Sequence, residues 1–359
     1  MSAGFSGLAF GQASVIKFGQ SAAMTGPGSE HARDVRSGIV AAFDAASKAG
    51  GPRFELITLD DAGVADRCVQ NVNTLLGSNV AALIGLTSGA GAEASMSAIE
   101  LQQMPLVAPA SGTMALRGEK AHSAYHVRAG YDLEFKRMVS YARERALLRV
   151  GLVHQQGIAQ SNLLAMTSAL SAAGIAPREV IAIDDSAASF QAAGTKLLGA
   201  NLDCVLFVAG AAPVAAIMDQ MNTAKYRGLS YASSMAGQDL IETLTTRGQS
   251  AILSVVVPRP TALGLPVVSR CQQDLAALKS ADTKVNVATL EGYISGRIAV
   301  EAARNALKVG SASKRGMKEA LSTLRTDLGG YTVQFTPGST QGSKYVELVA
   351  LDRYGRMVG

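Results

Sequence analysis

Two short loops of small, hydroxylated residues offer the clearest chemistry in this sequence. Thr87-Ser88 and Ala110-Ser111-Gly112-Thr113 each lead toward a helix start, where the first backbone N–H groups have no partner inside the helix. Paired, they form an uncharged cradle for an anion, most simply a carboxylate. A plainer alternative fits the same residues, an N-cap and a tight turn. The elements around the loops place them together. Val80 to Gly85 is an apolar run of buried-strand length, Ala92 to Gln103 carries Ala94, Ala98, Ile99 and Leu101 at near-helical period, and Pro105 to Ala108 is a second strand. A right-handed crossover makes these strands parallel, which leaves both loops at the carboxyl edge of one sheet, where open α/β sheets bind ligands.

Other chemistries find less support. Gly89-Ala90-Gly91-Ala92-Glu93-Ala94 has the outline of a dinucleotide fingerprint, but the next strand runs into Pro109-Ala110-Ser111-Gly112 and not into an acid for the ribose. The sequence has no nucleophile elbow, Walker loop or paired-cysteine metal spacing. His122 and His126 are close in sequence without a third ligand type nearby, and zinc needs three or four convergent ligands. Asp60-Asp61 and Asp184-Asp185 stand at strand ends, where acids serve as turn and capping residues. Cys68, Cys204 and Cys271 are far apart and odd in number, which implies buried thiols and no disulfide framework. We expect no cofactor, no metal and no catalytic residue.

Composition narrows the class further. With 48% apolar and 17% charged residues, the 359-residue chain can bury a large core and divides naturally into two lobes. Its excess of 33 basic over 28 acidic residues is scattered, apart from Lys314, Arg315 and Lys318, and it has no Trp to stack on bases, so nucleic acid is not an expected partner. Residues 1–13 are small, uncharged and apolar and end in Gly11-Gln12-Ala13, as in the tail of a secretory leader that lacks its basic start. No apolar run approaches the ~20 residues of a membrane span.

Strands alternate with helices along the chain. Val15 to Gly19 is a strand leading into Ser21 to Pro27, a helix follows to Gly50-Gly51-Pro52, and Phe54 to Leu59 is a strand before a helix over 65–76. After a strand at Tyr125 to Arg128 the pattern restarts, with strands at 150–154, 181–183, 204–209, 230–232 and 254–257 and helices near 160–173, 189–199 and 213–223. Val285 to Lys308 reads as one long helix, Met317 to Leu324 as a short one, and 331–336 with 344–351 as an antiparallel pair around a Pro-Gly turn. Parallel sheets covered on both faces result.

The order IKFGQSAAMTGP, DAASKAGGPRFELITLDDAG, VAALIGLTSGA, MPLVAPASGT, YHVR, EGYISGRIAVEAARNAL and DLGGYTVQFTPGSTQGSKYVELVALDRYGRM resembles the type I periplasmic binding proteins of the branched-chain amino acid ABC transporter group over almost the whole chain. The resemblance implies an α/β fold of two Rossmann-like lobes joined by a three-crossing hinge, closing on a ligand in the cleft. Crossings are then expected near Val127-Arg128, Val257-Pro258 and Gly329 to Tyr331. This makes 14–127 with 258–329 one lobe, and 128–257 with 330–359 the other, after a signal remnant at 1–13. In the family the ligand carboxylate is held by the loops matching Thr87-Ser88 and Ala110 to Thr113; Thr25 joins them from the first βα loop.

The departures from the family matter as much. The family's second-loop hydroxyl falls at Gly112, leaving the task to Ser111 or Thr113. The tyrosines of the second lobe match the Gln155-Gln156 turn and Ala211, and the glutamate for the ligand amine falls within Ser233-Ser234-Met235, where no acid stands. The cysteine that opens the family's disulfide matches about Gly63. A buried ammonium without an acid costs several kcal/mol, so the expected ligand is a carboxylate with an apolar or aromatic body, preferred over leucine, unless Asp239 or Glu242 restores the amine contact. The implied function is that of a monomeric, non-enzymatic solute-binding protein of the periplasm, capturing a small carboxylate or amino-acid-like molecule for a membrane ABC permease. A cytosolic ligand-sensing regulator of the amide-sensor type, with the same fold, is the alternative.

Overall fold

A computed structural model of the chain describes residues 14–119, 121–279 and 284–359; the expected leader at 1–13 lies outside the described residues. The first lobe begins with β1 (Val15–Ala22), α1 (Ser29–Lys48), β2 (Arg53–Asp60), α2 (Ala65–Leu76), β3 (Ala82–Ile84), α3 (Gly89–Leu101), β4 (Leu106–Val107) and β5 (Ala124–Tyr125). Its strands form a parallel sheet in the order β2-β1-β3-β4-β5. Strand order reverses between β1 and β3, and that switch point opens a crevice at the carboxyl edge.

The second lobe repeats the plan. α4 (Tyr131–Glu144), β6 (Val150–Gln155), α5 (Gln160–Ala172), β7 (Glu179–Ile183), α6 (Ala187–Gly199), β8 (Cys204–Val208), α7 (Ala211–Thr223), β9 (Leu229–Ala232), α8 (Gly237–Thr246) and β10 (Ala251–Val255) follow in order. Strands β7-β6-β8-β9-β10 are parallel and reverse at the corresponding point. Central strand β8, CVLFV, is buried at every residue, as expected of a parallel strand covered on both faces.

The chain then returns to the first lobe as α9 (Pro266–Ala277), α10 (Val287–Val309) and α11 (Lys314–Ser322). Helix α10 starts at a capping box, Asn286 with Thr289, and lies directly on α1. Their backbones touch: a Cβ on Gly38 would stand 2.0 Å from the Thr289 carbonyl, and one on Gly292 2.0 Å from that of Val35. No larger residue permits this approach.

Past α11 the structure departs from the expected antiparallel pairing of 331–336 with 344–351. β11 (Arg325–Asp327) pairs with β12 (Thr332–Gln334), while β13 (Glu347–Leu351) joins the second sheet antiparallel to β10 and is followed by β14 (Met357–Val358). The reason is the turn between β11 and β12. Gly329 and Gly330 both take positive φ, 92° and 90°, and their N–H groups donate to Asp327 Oδ1 at 2.9 and 3.1 Å, closing a hairpin upstream of the Pro-Gly turn. Gly329 to Tyr331 therefore form a hairpin turn, and the last passage between the sheets runs after Gln334 and before Glu347. Tyr331 nonetheless holds the hinge, its hydroxyl lying 2.7 Å from the Val127 carbonyl and 3.0 Å from that of Val256. Helices α4, α8 and α9 form where the sequence reading assigns none.

All three cysteines are free and buried, and desolvation pushes their thiol pKa values up, to about 11 for Cys68 and about 12 for Cys204 and Cys271. They act as small hydrophobic residues.

Candidate functional site

The two hydroxylated loops meet at the carboxyl edge of the first sheet. Ser88 is the N-cap of α3, its Oγ accepting from Gly91 N at 3.0 Å, so the N–H groups of Gly89 and Ala90 are left without an acceptor inside the helix. A Cβ on Gly89 would lie 2.7 Å from Ser111 Oγ, which places the second loop against the open end of α3. The loops are also tied through backbone, Ala110 N donating to Leu86 O at 2.9 Å. Thr87 is partly committed, since its Oγ1 accepts from Ala23 N at 3.2 Å. Thr25 is exposed and donates its hydroxyl to Asp60 Oδ2 at 2.7 Å, the largest of the causes that hold the Asp60 carboxyl below its ordinary pKa.

The second lobe reaches these loops through residues that the sequence reading missed. Tyr131, first residue of α4, lays its ring against Gly112: a Cβ there would be 2.6 Å from the ring. The glycine at this position is thus a steric requirement, and Tyr131 fills the space that a side chain would take. Asn162, in the first turn of α5, accepts from Met114 N at 2.8 Å and from Thr113 Oγ1 at 3.3 Å, joining the second loop to the opposite lobe. Nothing in the local sequence singles out Asn162; its partners are about fifty residues away.

Of the residues expected on the second lobe, Gln155 is a brace. Its Nε2 donates to Asp185 Oδ1 at 2.6 Å and its Oε1 accepts from Gly210 N at 3.1 Å, holding three loops of the sheet edge together. Gln156 is exposed, with its N–H donated to Ile183 O at 2.7 Å. Ala211 begins α7 and is half-buried, and Met235 is half-buried against the core of the lobe.

Ser234 belongs to a buried ionic cluster at the hinge. Arg128, 1% exposed, pairs through Nη2 with Glu134 at 3.0 Å and through Nη1 with Glu291 at 3.1 Å, and also donates to Ser234 Oγ. Glu134 comes from α4 in the second lobe and Glu291 from α10 in the first, so one guanidinium holds both. The acid expected to be absent from Ser233-Ser234-Met235 is absent from that segment, but Glu291 enters the same space from across the cleft. Both line a cavity of about 20 Å³ between the lobes, with His31, Gln238 and Val287. A second interlobe bond runs beside it, His31 N to Asp239 Oδ1 at 2.9 Å. Burial is the largest cause that holds the His31 pKa below its ordinary value, despite the opposing pull of Glu291 and Asp239. A larger hollow, about 610 Å³ between α4 and α5, touches none of these groups.

The sequence pattern of one family, described as periplasmic binding protein, matches residues 15–355. The chain belongs to the periplasmic binding proteins. Among solved structures, this binding protein is similar to a substrate-binding periplasmic protein from Ralstonia solanacearum, at 24% identity and a TM-score of 0.85 over 96% of this chain and 99% of that one. A solute-binding protein of an ABC transporter from R. palustris, in complex with 4-hydroxybenzoate, superposes with a TM-score of 0.79 at 16% identity, covering 96% and 95%. A branched-chain amino acid ABC transporter protein from Thermus thermophilus with bound valine gives 0.82 at 15% identity, covering 96% and 95%. These likenesses establish the two-lobed fold. A comparison with curated proteins found no match. Members of the family bind solutes.

Proposed function

We propose that this binding protein is the periplasmic solute-capturing component of an ABC importer, taking a small organic carboxylate between its lobes and presenting it to a membrane permease. The observation that carries the reading is the abutment of the Ser88 and Ser111 loops, which sets the open end of α3 beside a second hydroxylated turn. Thr87, Ser88 and Ala110 to Thr113 are the proposed carboxylate side. Gln155, Gln156, Ala211, Ser234 and Met235 form the facing wall, and Thr25 stands at the rim. Half-buried Met235 and Ala211 favour an apolar or aromatic body. The R. palustris and T. thermophilus relatives were each solved with a carboxylate, which agrees with this choice. In lobe terms, 14–127 with 258–334 would move against 128–257 with 347–359, residues 335–346 carrying the last crossing.

A thermal-shift panel of branched-chain amino acids, aromatic acids and fatty acids tests the proposal. Ligand at a hundred times its dissociation constant adds about 2.7 kcal/mol. An unfolding entropy of ~2.1 cal/mol/K per residue gives ~0.75 kcal/mol/K for 359 residues, so a true ligand raises Tm by about 3–4 °C. A panel in which no carboxylate moves Tm overturns the reading.

A further inference from the structure

Helices α1 and α8 belong to different lobes, and their first turns meet across the cleft. Neither start has a side-chain cap of its own: the N-cap of α1 is Gly28, with φ 78°, and that of α8 is Ala236. The carboxylate that serves α1 comes from the other lobe. Asp239, in the first turn of α8, accepts from the N–H of His31, the third residue of α1, at 2.9 Å. One anion thus stands between two helix N-termini, where the unpaired N–H groups and the macrodipole of each favour negative charge. The approach is close enough for the His31 ring to lie on the backbone of α8, since a Cβ on Gly237 would be 3.4 Å from His31 Nδ1.

The same face carries an opposing pair one turn further along. Asp34 follows His31 by three residues on α1, and Glu242 follows Asp239 by three on α8, so each carboxylate lies on the same side of its helix as the bond behind it. Their hydrogen-bond partners are neutral amides: Asp34 Oδ2 accepts from Asn286 Nδ2 at 2.6 Å, and Glu242 Oε1 from Gln238 Nε2 at 3.2 Å. Burial is the largest cause that raises the Asp34 carboxyl pKa to about 6; the Asn286 bond opposes it, while the charges of Glu242 and Glu30 add to it against the pull of Arg33. Glu242 is therefore near enough to repel Asp34 across the cleft. One bond on this face draws the lobes together and one like-charged pair pushes them apart. Asp239 and Glu242, the two acids that could have restored an amine contact, are both engaged here.

We propose that the α1–α8 face is a tuned latch: Asp239 draws the second lobe onto the first turn of α1, and Glu242 against Asp34 limits how firmly it holds, so that the protein samples its closed form without a solute and still opens. The latch sets the fraction of closed molecules, and with it the apparent affinity for every solute alike. That second consequence rests on the solute-binding reading above; the shape of the empty protein does not. The four residues are distinct from the Ser88 and Ala110 to Thr113 loops, so their effect is separable from contact with the solute.

The test is small-angle scattering of the full chain without solute, for wild type, Asp239→Ala, Asp239→Asn and Glu242→Gln, with circular dichroism and Tm to establish that each is folded. Loss of the capping acceptor in Asp239→Ala should lower the closed-to-open ratio about fivefold, read as a larger radius of gyration. Asp239→Asn keeps an acceptor for His31 N without the charge and should fall between Asp239→Ala and wild type. Glu242→Gln keeps an acceptor for Gln238 while removing one of the facing charges, and should raise the ratio about twofold, read as a smaller radius. Titration calorimetry with solutes from the thermal-shift panel should weaken in Asp239→Ala and tighten in Glu242→Gln by the same factor for every solute that binds. Unchanged radii in Asp239→Ala and Glu242→Gln overturn the latch, and so does a shift of both in one direction. Affinities that change for one class of solute alone also overturn it, since the acids then touch the solute. If no solute binds, the solute-binding reading falls, and the scattering alone decides the latch. Should Asp239→Ala fail to fold, Asp239→Asn and Glu242→Gln carry the same comparison with opposite signs.

Discussion

Replacing Arg128 by methionine asks how much of the fold depends on one buried guanidinium. The side chain is 1% exposed and contacts carboxylates from both lobes, Glu134 at 3.0 Å and Glu291 at 3.1 Å. Removing one partner of a buried pair costs about 3–5 kcal/mol, because the remaining charge stays desolvated. Two carboxylates lose their partner here, but Glu134 keeps three donors from Ser234 and Ser254, so most of the loss falls on Glu291. About 3–5 kcal/mol is the expected total. With ~0.75 kcal/mol/K of unfolding entropy for the 359-residue chain, that corresponds to a Tm lower by about 4–7 °C if both lobes unfold together. Denaturant titration should give the same loss at unchanged slope. Adding Glu291→Gln to Arg128→Met should recover at least half, since it neutralises the stranded charge. A loss under about 1 kcal/mol, or no recovery in the double variant, would refute the reasoning.

Ser88→Ala should weaken binding of an identified carboxylate by about ten- to a hundredfold and, because Ser88 also caps α3, should lower stability by about 1 kcal/mol without ligand; unchanged affinity removes the hydroxyl from the site. Asn162→Ala deletes the acceptor shared by Thr113 and Met114 and should expand the protein, read as a larger radius of gyration in small-angle scattering; identical curves with and without the substitution count against an interlobe latch. The protein is expected to scatter as a monomer that becomes more compact with ligand. His126 is fully buried, and its pKa is held well below the ordinary 6.5 mainly by desolvation, next by Arg117. Below pH 6.5 the unfolded chain therefore takes up a proton that the folded one refuses, so this contribution is complete above that value and lost as pH falls toward the folded pKa. His31 is shifted the same way. Stability measured from about pH 7 down to about pH 5 should decline, and His126→Gln should flatten the slope; a parallel decline in wild type and variant would exclude His126.

How much of this was legible in the sequence depended on the range over which each signal acts. Helices α2, α5, α6, α7 and α10 lie within a few residues of where their periodicity puts them, because the pattern that buries one helix face is local. The pairing of β12 turns on one local feature: the Asp327-Leu328-Gly329-Gly330 run closes a hairpin on its own, and the Pro-Gly turn serves the short Thr336–Ser339 bridge. The meeting of the Ser88 and Ser111 loops was readable because strand, loop and helix recur within one crossover. What the opposite lobe contributes was not, since Tyr131 and Asn162 act through partners that only the folded chain brings near, as Glu291 of the first lobe does with Arg128.

Glu291 did leave a trace that spacing alone does not interpret. It stands in VATLEGYISG, where small and apolar residues surround it and every position is buried. An acid with no basic residue within that run must find its cation elsewhere or remain a destabilising charge. The missing acid at Ser233-Ser234-Met235 and the surplus acid in α10 looked unrelated in sequence, one an absence and the other a stray charge. In the fold, Ser233, Ser234 and Glu291 line one cavity. Glu291 also pairs with Arg128, so its charge weighs directly on the residue that ties the two lobes together through Glu134 as well.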